Sequence, residues 1–310
     1  MVLKLMREIP FSLKDFPQFS SSEVGLAVLG HPISHSISPI LHNAAIKVLA
    51  GHKLSFGNWF YERFDVKPKE LPQALEKLSN AGFVGLNLTI PHKVEVLNLL
   101  DEFTHEVSLM GASNTLLFRD GKWLGYNTDG YGLLMALQSE LGCELSNSKV
   151  LILGAGGAAR AAAVQVLLSG ASRVHIHNRS LKSLNDLIDL LHREFNSEMA
   201  TGSTHENLKE SEFFDQDWIV INATSLGLNK LDPSPLFMSP SKFGAGTVFY
   251  DMIYNPRETA YLLEASSFGF QNANGLSMLV YQAVKALEIW SGKTVSAEAM
   301  FGAAEEYLGN

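Results

Sequence analysis

Apolar and polar positions along the first half of the chain follow the pattern of strands separated by helices. Apolar runs that predict buried strands cover Val24 to Gly30, Phe56 to Phe64 and the stretch that begins at Phe83. Positions 71, 74, 75 and 78 are apolar and share one face of a predicted helix. The stretches 115–118 and 123–126 flank an Asp-Gly pair that favours a hairpin turn. Thr128 is a candidate N-cap for the helical stretch that follows it.

The second half begins with a continuous apolar strand, 150–153, followed by a glycine-rich turn and a long helix. In this turn, Gly154 permits a tight bend, Gly156 lets the backbone approach a pyrophosphate, and Ala159 allows close helix packing. Further apolar strands complete a Rossmann-type, doubly wound pattern, so the predicted fold is α/β with two domains. The residues predicted to bind a dinucleotide at this turn are Gly154, Ala155, Gly156, Gly157, Ala158 and Ala159.

The residues after the second strand of this domain favour NADP as the cofactor. NAD enzymes usually carry an acid at this position, whereas this chain has Asn178, Arg179 and Ser180. An arginine guanidinium binds a 2′-phosphate through charge-assisted hydrogen bonds. The alternative is that Arg179 is a solvated loop residue. Thr224 and Met252 follow later strands and are expected near the nicotinamide, although structural capping would explain the same residues.

Polar residues also mark the end of the strand that begins at Phe83. Asn87 and Thr89 alternate with apolar neighbours, and Lys93 follows shortly afterwards. A buried polar group without a partner costs roughly 1–3 kcal/mol, so this strand end needs internal partners or a polar ligand. The alternative is an edge strand with solvated polar residues and a surface lysine.

Composition narrows the class of protein. The 310 residues are enough for two domains, and 46% apolar with 18% charged residues is typical of a globular protein. The net charge of −8 argues against a nucleic-acid binder but allows a local basic pocket. We find no apolar run long enough to span a membrane, no signal-peptide pattern and no metal-ligand cluster. We interpret residues 1–22 as an N-terminal extension. With a single cysteine, Cys143, a cytoplasmic location is predicted.

Three further polar clusters, 30–39, 111–115 and 127–129, lie where predicted strands end or begin. With the segment 87–93 they supply hydroxyls, amides, one ammonium and one carboxylate. Parallel strands would gather these groups at one edge of a sheet. Such a lining suits a small polyhydroxylated carboxylic acid as the substrate.

From about Val24 to its end, the chain resembles the shikimate dehydrogenase family in the order of its motifs. These motifs are Gly30-x-Pro32-Ile33-x-His35-Ser36-x-Ser38-Pro39, Asn87-x-Thr89-x-Pro91-x-Lys93, Gly111-Ala112-x-Asn114-Thr115, Asn127-Thr128-Asp129-Gly130, Tyr250-Asp251-Met252-x-Tyr254-Asn255-Pro256 and Gly275-x-x-Met278-Leu279-x-x-Gln282. The resemblance implies an oxidoreductase that reversibly reduces 3-dehydroshikimate to shikimate with NADPH, a step in the biosynthesis of chorismate and the aromatic amino acids.

The same resemblance implies a role for each motif residue. Ser36 and Ser38 would bind the substrate carboxylate, and Lys93 with Asp129 would form the catalytic pair. The remaining substrate-binding candidates are Thr89, Asn114 and Gln282 for the ring hydroxyls, Tyr254 for the carboxylate end and Asn87 for the pocket wall.

Elementary chemistry supports the proposed pair. Hydride that reaches a carbonyl carbon leaves negative charge on the oxygen, which the Lys93 ammonium can stabilise and protonate. Asp129 can orient the ammonium but also favours its charged form, so which of the two moves the proton stays open. The structural alternative is a salt bridge that ties two segments together.

Departures from the family pattern keep other functions open. NADP-strict members often carry a second arginine four residues after the first, where this chain has Ser183, so use of NAD as well is an alternative. The intact pair Ser36-x-Ser38 favours shikimate over quinate, but a quinate/shikimate dehydrogenase stays an alternative. A non-catalytic dinucleotide sensor is a remoter one, because the proposed catalytic pair is present. The predicted domains are 1–127 with 276–310 for the substrate and 128–275 for NADP, in a monomer or homodimer.

Overall fold

The computed structural model describes residues 9–16, 19–20 and 22–309 and divides the chain into two compact units. The first unit comprises Met1–Thr128 and Val280–Asn310, and the second comprises Asp129–Leu279. Each unit is built on one sheet with helices packed against it, which confirms the predicted α/β class.

Within the described residues, the sheet of the first unit has seven strands in the order β1-β3-β2-β4-β6-β7-β5. The strands are β1 Phe11–Ser12, β2 Val24–Gly30, β3 Trp59–Asp65, β4 Phe83–Leu88, β5 Glu102–Phe103, β6 Thr115–Arg119 and β7 Lys122–Tyr126. The helices between them are α1 Ser38–His52, α2 Leu71–Asn80, α3 His92–Glu95 and α4 His105–Met110. β6 runs antiparallel to both of its neighbours, whereas the other paired strands are parallel.

Local chemistry explains most boundaries of this unit. Asp120 and Gly121 have φ angles of 52° and 79°, the left-handed conformation that a two-residue hairpin turn requires, so the predicted hairpin is confirmed. The strand predicted from Phe56 starts later, at Trp59, because Leu54–Phe56 form a short 3₁₀ turn and Gly57-Asn58 break the extended conformation.

The N-terminal segment is only partly described, since residues 1–8, 17–18 and 21 of the predicted extension lie outside the described residues. In the described part, Phe11 pairs with Phe64 as β1 joins β3, and the ring of Phe19 stacks on Phe60 with 5.0 Å between centroids. This segment therefore adds apolar surface to the core of the first sheet.

The sheet of the second unit has six parallel strands among the described residues, in the order β10-β9-β8-β11-β12-β13. This is the doubly wound order of a dinucleotide-binding Rossmann fold. The elements are α5 Asp129–Leu141, β8 Lys149–Leu153, α6 Gly157–Leu168, β9 Arg173–His177, α7 Leu181–Glu194, β10 Ala200–Ser203, β11 Ile219–Asn222, β12 Val248–Asp251, α8 Ala260–Ser267 and β13 Gln271–Ala273.

Two C-terminal helices, α9 Leu276–Ser291 and α10 Glu298–Gly309, follow β13. In the first unit, α10 packs on α1, and the Trp290 indole lies flat over Gly85 of β4. The Trp290 Nε1–H donates a hydrogen bond of 2.8 Å to the Leu116 carbonyl oxygen. The C-terminal part of α9 is therefore held on the first sheet. No helix in the described part of the chain is long and apolar enough to cross a membrane.

This packing predicts opposite effects for two glycine-to-alanine substitutions. A Cβ on Gly85 would lie 2.5 Å from Trp290 Cδ2, so Gly85→Ala should lower the free energy of unfolding by about 1–3 kcal/mol. A Cβ on Gly51, exposed in α1, meets no atom within 4 Å, so Gly51→Ala should be neutral or raise stability by about 0.5–1 kcal/mol. Urea denaturation of both variants measures the difference, and equal midpoints would contradict the packing.

Candidate active site

The antiparallel β6 decides where the polar segments of the first unit meet. β2, β4 and β7 end at one edge of the sheet, and β6 starts at the same edge because its direction is reversed. The buried polar side chains gathered there, called the polar edge below, are Asn87, Asn114, Thr115, Thr128 and Gln282. The sequence-predicted residues Asn87, Asn114 and Gln282 are thus brought together although they lie in three separate motifs.

The Asn114 amide is the centre of the polar edge. Its Oδ1 accepts hydrogen bonds from the Thr128 backbone N–H at 2.8 Å and from the Thr115 hydroxyl at 3.0 Å. Its Nδ2 donates to Thr128 Oγ1 at 3.0 Å and to Gln282 Oε1 at 3.4 Å. One side chain therefore joins β6, the end of β7 and helix α9.

Asn87 lies behind this centre and is held on both sides by protein groups. Its Nδ2 donates to the Asn114 carbonyl oxygen and to Thr115 Oγ1, and its Oδ1 accepts the Tyr61 hydroxyl at 2.8 Å. With 6% of its surface exposed, Asn87 fixes the wall of the polar edge. The partners that its strand end required are therefore internal.

The two serines predicted to bind a carboxylate lie side by side at the start of α1. Ser36 Oγ and Ser38 Oγ are 3.2 Å apart, and Ser38 also hydrogen-bonds with Tyr61, whose hydroxyl contacts Asn87. Arg63 is 4% exposed and donates from its guanidinium to the carbonyl oxygens of Ser34 and Ser36. A buried positive charge thus supports the loop that presents both hydroxyls.

Lys93 is carried by the short helix α3, which a buried histidine anchors. His92 is fully buried, and its Nε2 lies 2.7 Å from the Val66 carbonyl oxygen, to which it donates. The Lys93 carbonyl oxygen accepts the Ser113 N–H at 2.8 Å, and the Thr89 carbonyl oxygen accepts the His92 N–H at 2.8 Å. Thr89 and Lys93 are therefore fixed next to the start of β6.

His42 of α1 is fully buried and packs among aromatic rings. Its ring stacks on Tyr61 with 4.2 Å between centroids and 3° between planes, as expected for packing. Asn87 of the polar edge is the side chain that can hydrogen-bond with the buried ring. Burial lowers the pKa of His42 to about 3, which leaves the ring neutral at physiological pH.

The second unit holds a separate cavity of about 390 Å³ at the carboxyl ends of its strands. Gly154 has a φ of 109°, and a Cβ there would lie 3.1 Å from the Ala223 carbonyl oxygen, so only glycine suits the turn. A Cβ on Gly156 would meet no atom within 4 Å, which leaves its backbone open to a ligand. Of the sequence-predicted cofactor residues, those that line the cavity are Gly154, Ala155, Gly156, Asn178, Arg179 and Thr224.

The other predicted cofactor residues, together with the substrate candidate Tyr254 and the catalytic candidate Asp129, lie on further elements. Ser180 accepts the Ser183 N–H and caps α7, while Met252 and Tyr254 follow β12. Asp129 is the first residue of α5 and directly follows Thr128 of the polar edge. The residues that continue the glycine-rich turn into α6 are Gly157, Ala158 and Ala159.

A buried carboxylate orders the loops after β11 and β12. Asp251 accepts hydrogen bonds from the Thr259 hydroxyl at 2.6 Å and the Asn222 amide at 3.0 Å. The Asn222 Oδ1 in turn accepts the backbone N–H and the hydroxyl of Thr224. Burial raises the pKa of Asp251, and its hydrogen bonds partly oppose this rise.

Sequence reasoning missed several residues that position these sites. Asp251 lay within a motif that the sequence singled out, and Asn222 lies two residues before Thr224, but the hydrogen bond between them joins two strands. Tyr61 and Arg63 carried no signal, because an isolated polar residue in a strand shows its partners only once the chain is folded. His92 lay within the segment 87–93, but its partner, the Val66 carbonyl oxygen, is distant in the sequence.

Three parts of the chain match family models of known proteins. Residues 28–116 match the family model described as the shikimate dehydrogenase substrate binding domain. Residues 136–259 match shikimate / quinate 5-dehydrogenase, and 275–304 match the shikimate 5'-dehydrogenase C-terminal domain. A curated relative from Methanocaldococcus jannaschii, named shikimate dehydrogenase (NADP(+)), is 37% identical over 89% of this chain and 94% of its own length.

Two solved structures resemble the chain over nearly its whole length. A crystal structure of a shikimate dehydrogenase in complex with NADP+ has a TM-score of 0.82 at 35% identity, covering 93% of this chain and 97% of that chain. A ligand-free 5-ketofructose reductase from Gluconobacter has a TM-score of 0.79 at 32% identity, covering 92% of this chain and 99% of that chain.

The buried neutral His42 predicts how stability depends on pH. The pKa of His42 is lower in the folded state than in the unfolded chain. As the pH falls below 6.5, only the unfolded chain takes up a proton at this residue, so the free energy of unfolding decreases. His42→Gln should reduce the loss of unfolding free energy between pH 6.5 and 5 by about 1.5 kcal/mol. Urea denaturation at both pH values measures this, with exposed His52→Gln as the control. An unchanged loss in His42→Gln would contradict the assignment.

Proposed function

Because the chain belongs to the shikimate dehydrogenase family, we propose that it catalyses the reversible, NADP-dependent interconversion of shikimate and 3-dehydroshikimate. The observation that carries this proposal is the polar edge, where Asn114 and Gln282 share a hydrogen bond beside the segments that hold Ser38 and Lys93. Amides and hydroxyls are suited to a ring with several hydroxyl groups. In this proposal the first unit binds the substrate and the second binds NADP(H).

Two hydroxyls at the start of α1 would bind the substrate carboxylate. Ser36 and Ser38 lie next to each other; the buried Arg63 guanidinium donates to the Ser36 carbonyl oxygen, and Tyr61 hydrogen-bonds with Ser38. A carboxylate accepts hydrogen bonds from hydroxyls, and a nearby positive charge favours its ionised form. Of the predicted substrate residues, Thr89, Asn114 and Gln282 would contact the ring hydroxyls, while Asn87 keeps the wall in place.

The cavity of the second unit fits NADP(H). Its glycine-rich turn is open to the approach of a pyrophosphate at Gly156, and Arg179 belongs to the lining of the same cavity. When bound, the nicotinamide supplies or accepts the hydride. Asp251 and Asn222 order the loops after β11 and β12, where Thr224, Met252 and Tyr254 lie. Asn178 and Ser180 shape the turn that carries Arg179.

Lys93 and Asp129 would perform the proton chemistry. During reduction, charge develops on the carbonyl oxygen, and the Lys93 ammonium stabilises that charge and holds the proton the oxygen takes up. Asp129 would hydrogen-bond a substrate hydroxyl and orient the ammonium. We propose a cytoplasmic enzyme, either a monomer or a homodimer, that acts in chorismate and aromatic amino-acid biosynthesis.

Removal of the Lys93 ammonium tests its proposed role in stabilising and protonating the substrate oxygen. Lys93→Met should lower kcat by about 10²–10⁴-fold, because the oxygen loses its charge stabilisation and its proton donor. The dissociation constant for NADPH, measured by fluorescence titration, should change less than about twofold. Lys47→Met, at an exposed lysine of α1, serves as the control. A Lys93→Met enzyme with kcat within about fivefold of the wild type would refute the role.

The carboxylate site is tested with a substrate panel. The wild type should oxidise shikimate with NADP+ more efficiently than quinate, and Ser38→Ala should raise KM for shikimate by about tenfold through loss of one charge-assisted hydrogen bond. Reduction of 5-ketofructose, which has no carboxylate, should be weak and should not depend on Ser38. Ser79→Ala in α2 is the matched control. Preferred reduction of 5-ketofructose would reject shikimate as the substrate.

A further inference from the structure

The cavity proposed to bind NADP(H) is lined by a second basic side chain besides Arg179. Its lining includes His177 and His205, and none of the described residues that line it is acidic. His205 is exposed, while His177 is 5% exposed. The cavity therefore offers two solvent-accessible side chains, Arg179 and His205, that can carry positive charge toward an anion.

The buried histidine that contacts His205 belongs to a ladder of side chains across two strands. His175 and His177 of β9 face Thr201 and Ser203 of β10 in register. His175 contacts Thr201 Oγ1 at 2.9 Å and Ser203 Oγ at 2.8 Å, and His177 Nδ1 lies 3.1 Å from Ser203 Oγ. Burial lowers the pKa of His177 to about 4, so this ring does not compete as a cation.

The His205 ring packs on a buried histidine, and its backbone lies in a closed turn. Its ring packs edge-on against His177, with 4.8 Å between centroids and 75° between planes. The His177 ring is itself packed against Phe237 at 4.4 Å. In the loop after β10, the Asn207 Oδ1 accepts the Thr204 N–H at 2.7 Å, so the backbone on either side of His205 is closed into a turn.

We propose that His205 is a binding residue for the 2′-phosphate of NADP(H) and, with Arg179, determines preference for NADP over NAD. The inference rests on the proposed function, since it takes NADP(H) to bind in this cavity. An imidazolium donates a charge-assisted hydrogen bond to a phosphate oxygen and adds a second positive charge to that of the guanidinium. Ser183, in the first turn of α7, is uncharged, so His205 supplies the charge from a different loop.

The charged groups next to His205 along the chain and in the cavity are Glu206 and Arg179. A residue that binds the 2′-phosphate should affect the affinity for NADPH and leave that for NADH nearly unchanged, because NADH lacks this group.

Fluorescence titration of the intact chain with NADPH and NADH tests the proposal without requiring turnover. His205→Gln should weaken NADPH binding about tenfold at pH 6.5 and change NADH binding less than about twofold, because NADH lacks the phosphate. Adding Ser183→Arg to His205→Gln should restore the preference for NADPH, since arginine supplies a charge from the first turn of α7.

The outcomes separate this proposal from the proposed function. Equal weakening of NADPH and NADH would show that His205 supports the adenosine in general, and would overturn the assignment to the phosphate. Unchanged affinity for both cofactors would overturn it as well. Failure of the wild type to oxidise shikimate would reject the proposed substrate but leave the affinity ratio measurable. Failure of the wild type to bind NADPH would instead reject the premise and with it this proposal.

Discussion

The polar edge of the first unit depends on one buried amide, that of Asn114. It accepts from the Thr128 backbone and the Thr115 hydroxyl and donates to Thr128 and Gln282, so both its oxygen and its nitrogen are satisfied by protein groups. A carboxylate could accept but not donate here, and an apolar side chain would leave several buried groups without partners. The segments around the predicted substrate residues are thus tied together before any ligand binds.

In the second unit a buried carboxylate, rather than a buried amide, holds the loops through hydrogen bonds. Asp251 accepts hydrogen bonds from the Thr259 hydroxyl, the Ile253 backbone N–H and the Asn222 amide. The Asn222 side-chain oxygen in turn accepts a hydrogen bond from the Thr224 hydroxyl. In both units, buried polar side chains satisfy one another and fix loops at the carboxyl ends of parallel strands. Loops held in this way lose little freedom on binding, which favours affinity for small polar ligands.

The fold alone does not select the substrate. A 5-ketofructose reductase shares the architecture at a TM-score of 0.79, nearly as high as that of the shikimate dehydrogenase with NADP+. What distinguishes related enzymes must therefore lie in side chains at the site rather than in the scaffold. In this chain, the adjacent hydroxyls of Ser36 and Ser38 above the buried Arg63 are the feature that suits a carboxylate.

The sequence by itself determined the α/β class, the glycine-rich turn, the family and the cofactor, because these depend on local periodicity and on contiguous motifs. It also predicted Asn114 and Gln282 as members of one site, but only through the resemblance. Tertiary structure decided how the site is held. The reversed direction of β6, the link from Tyr61 to Asn87 and the packing of His205 on His177 join residues that are distant in the chain. Such contacts follow from strand order and register, which no local pattern encodes.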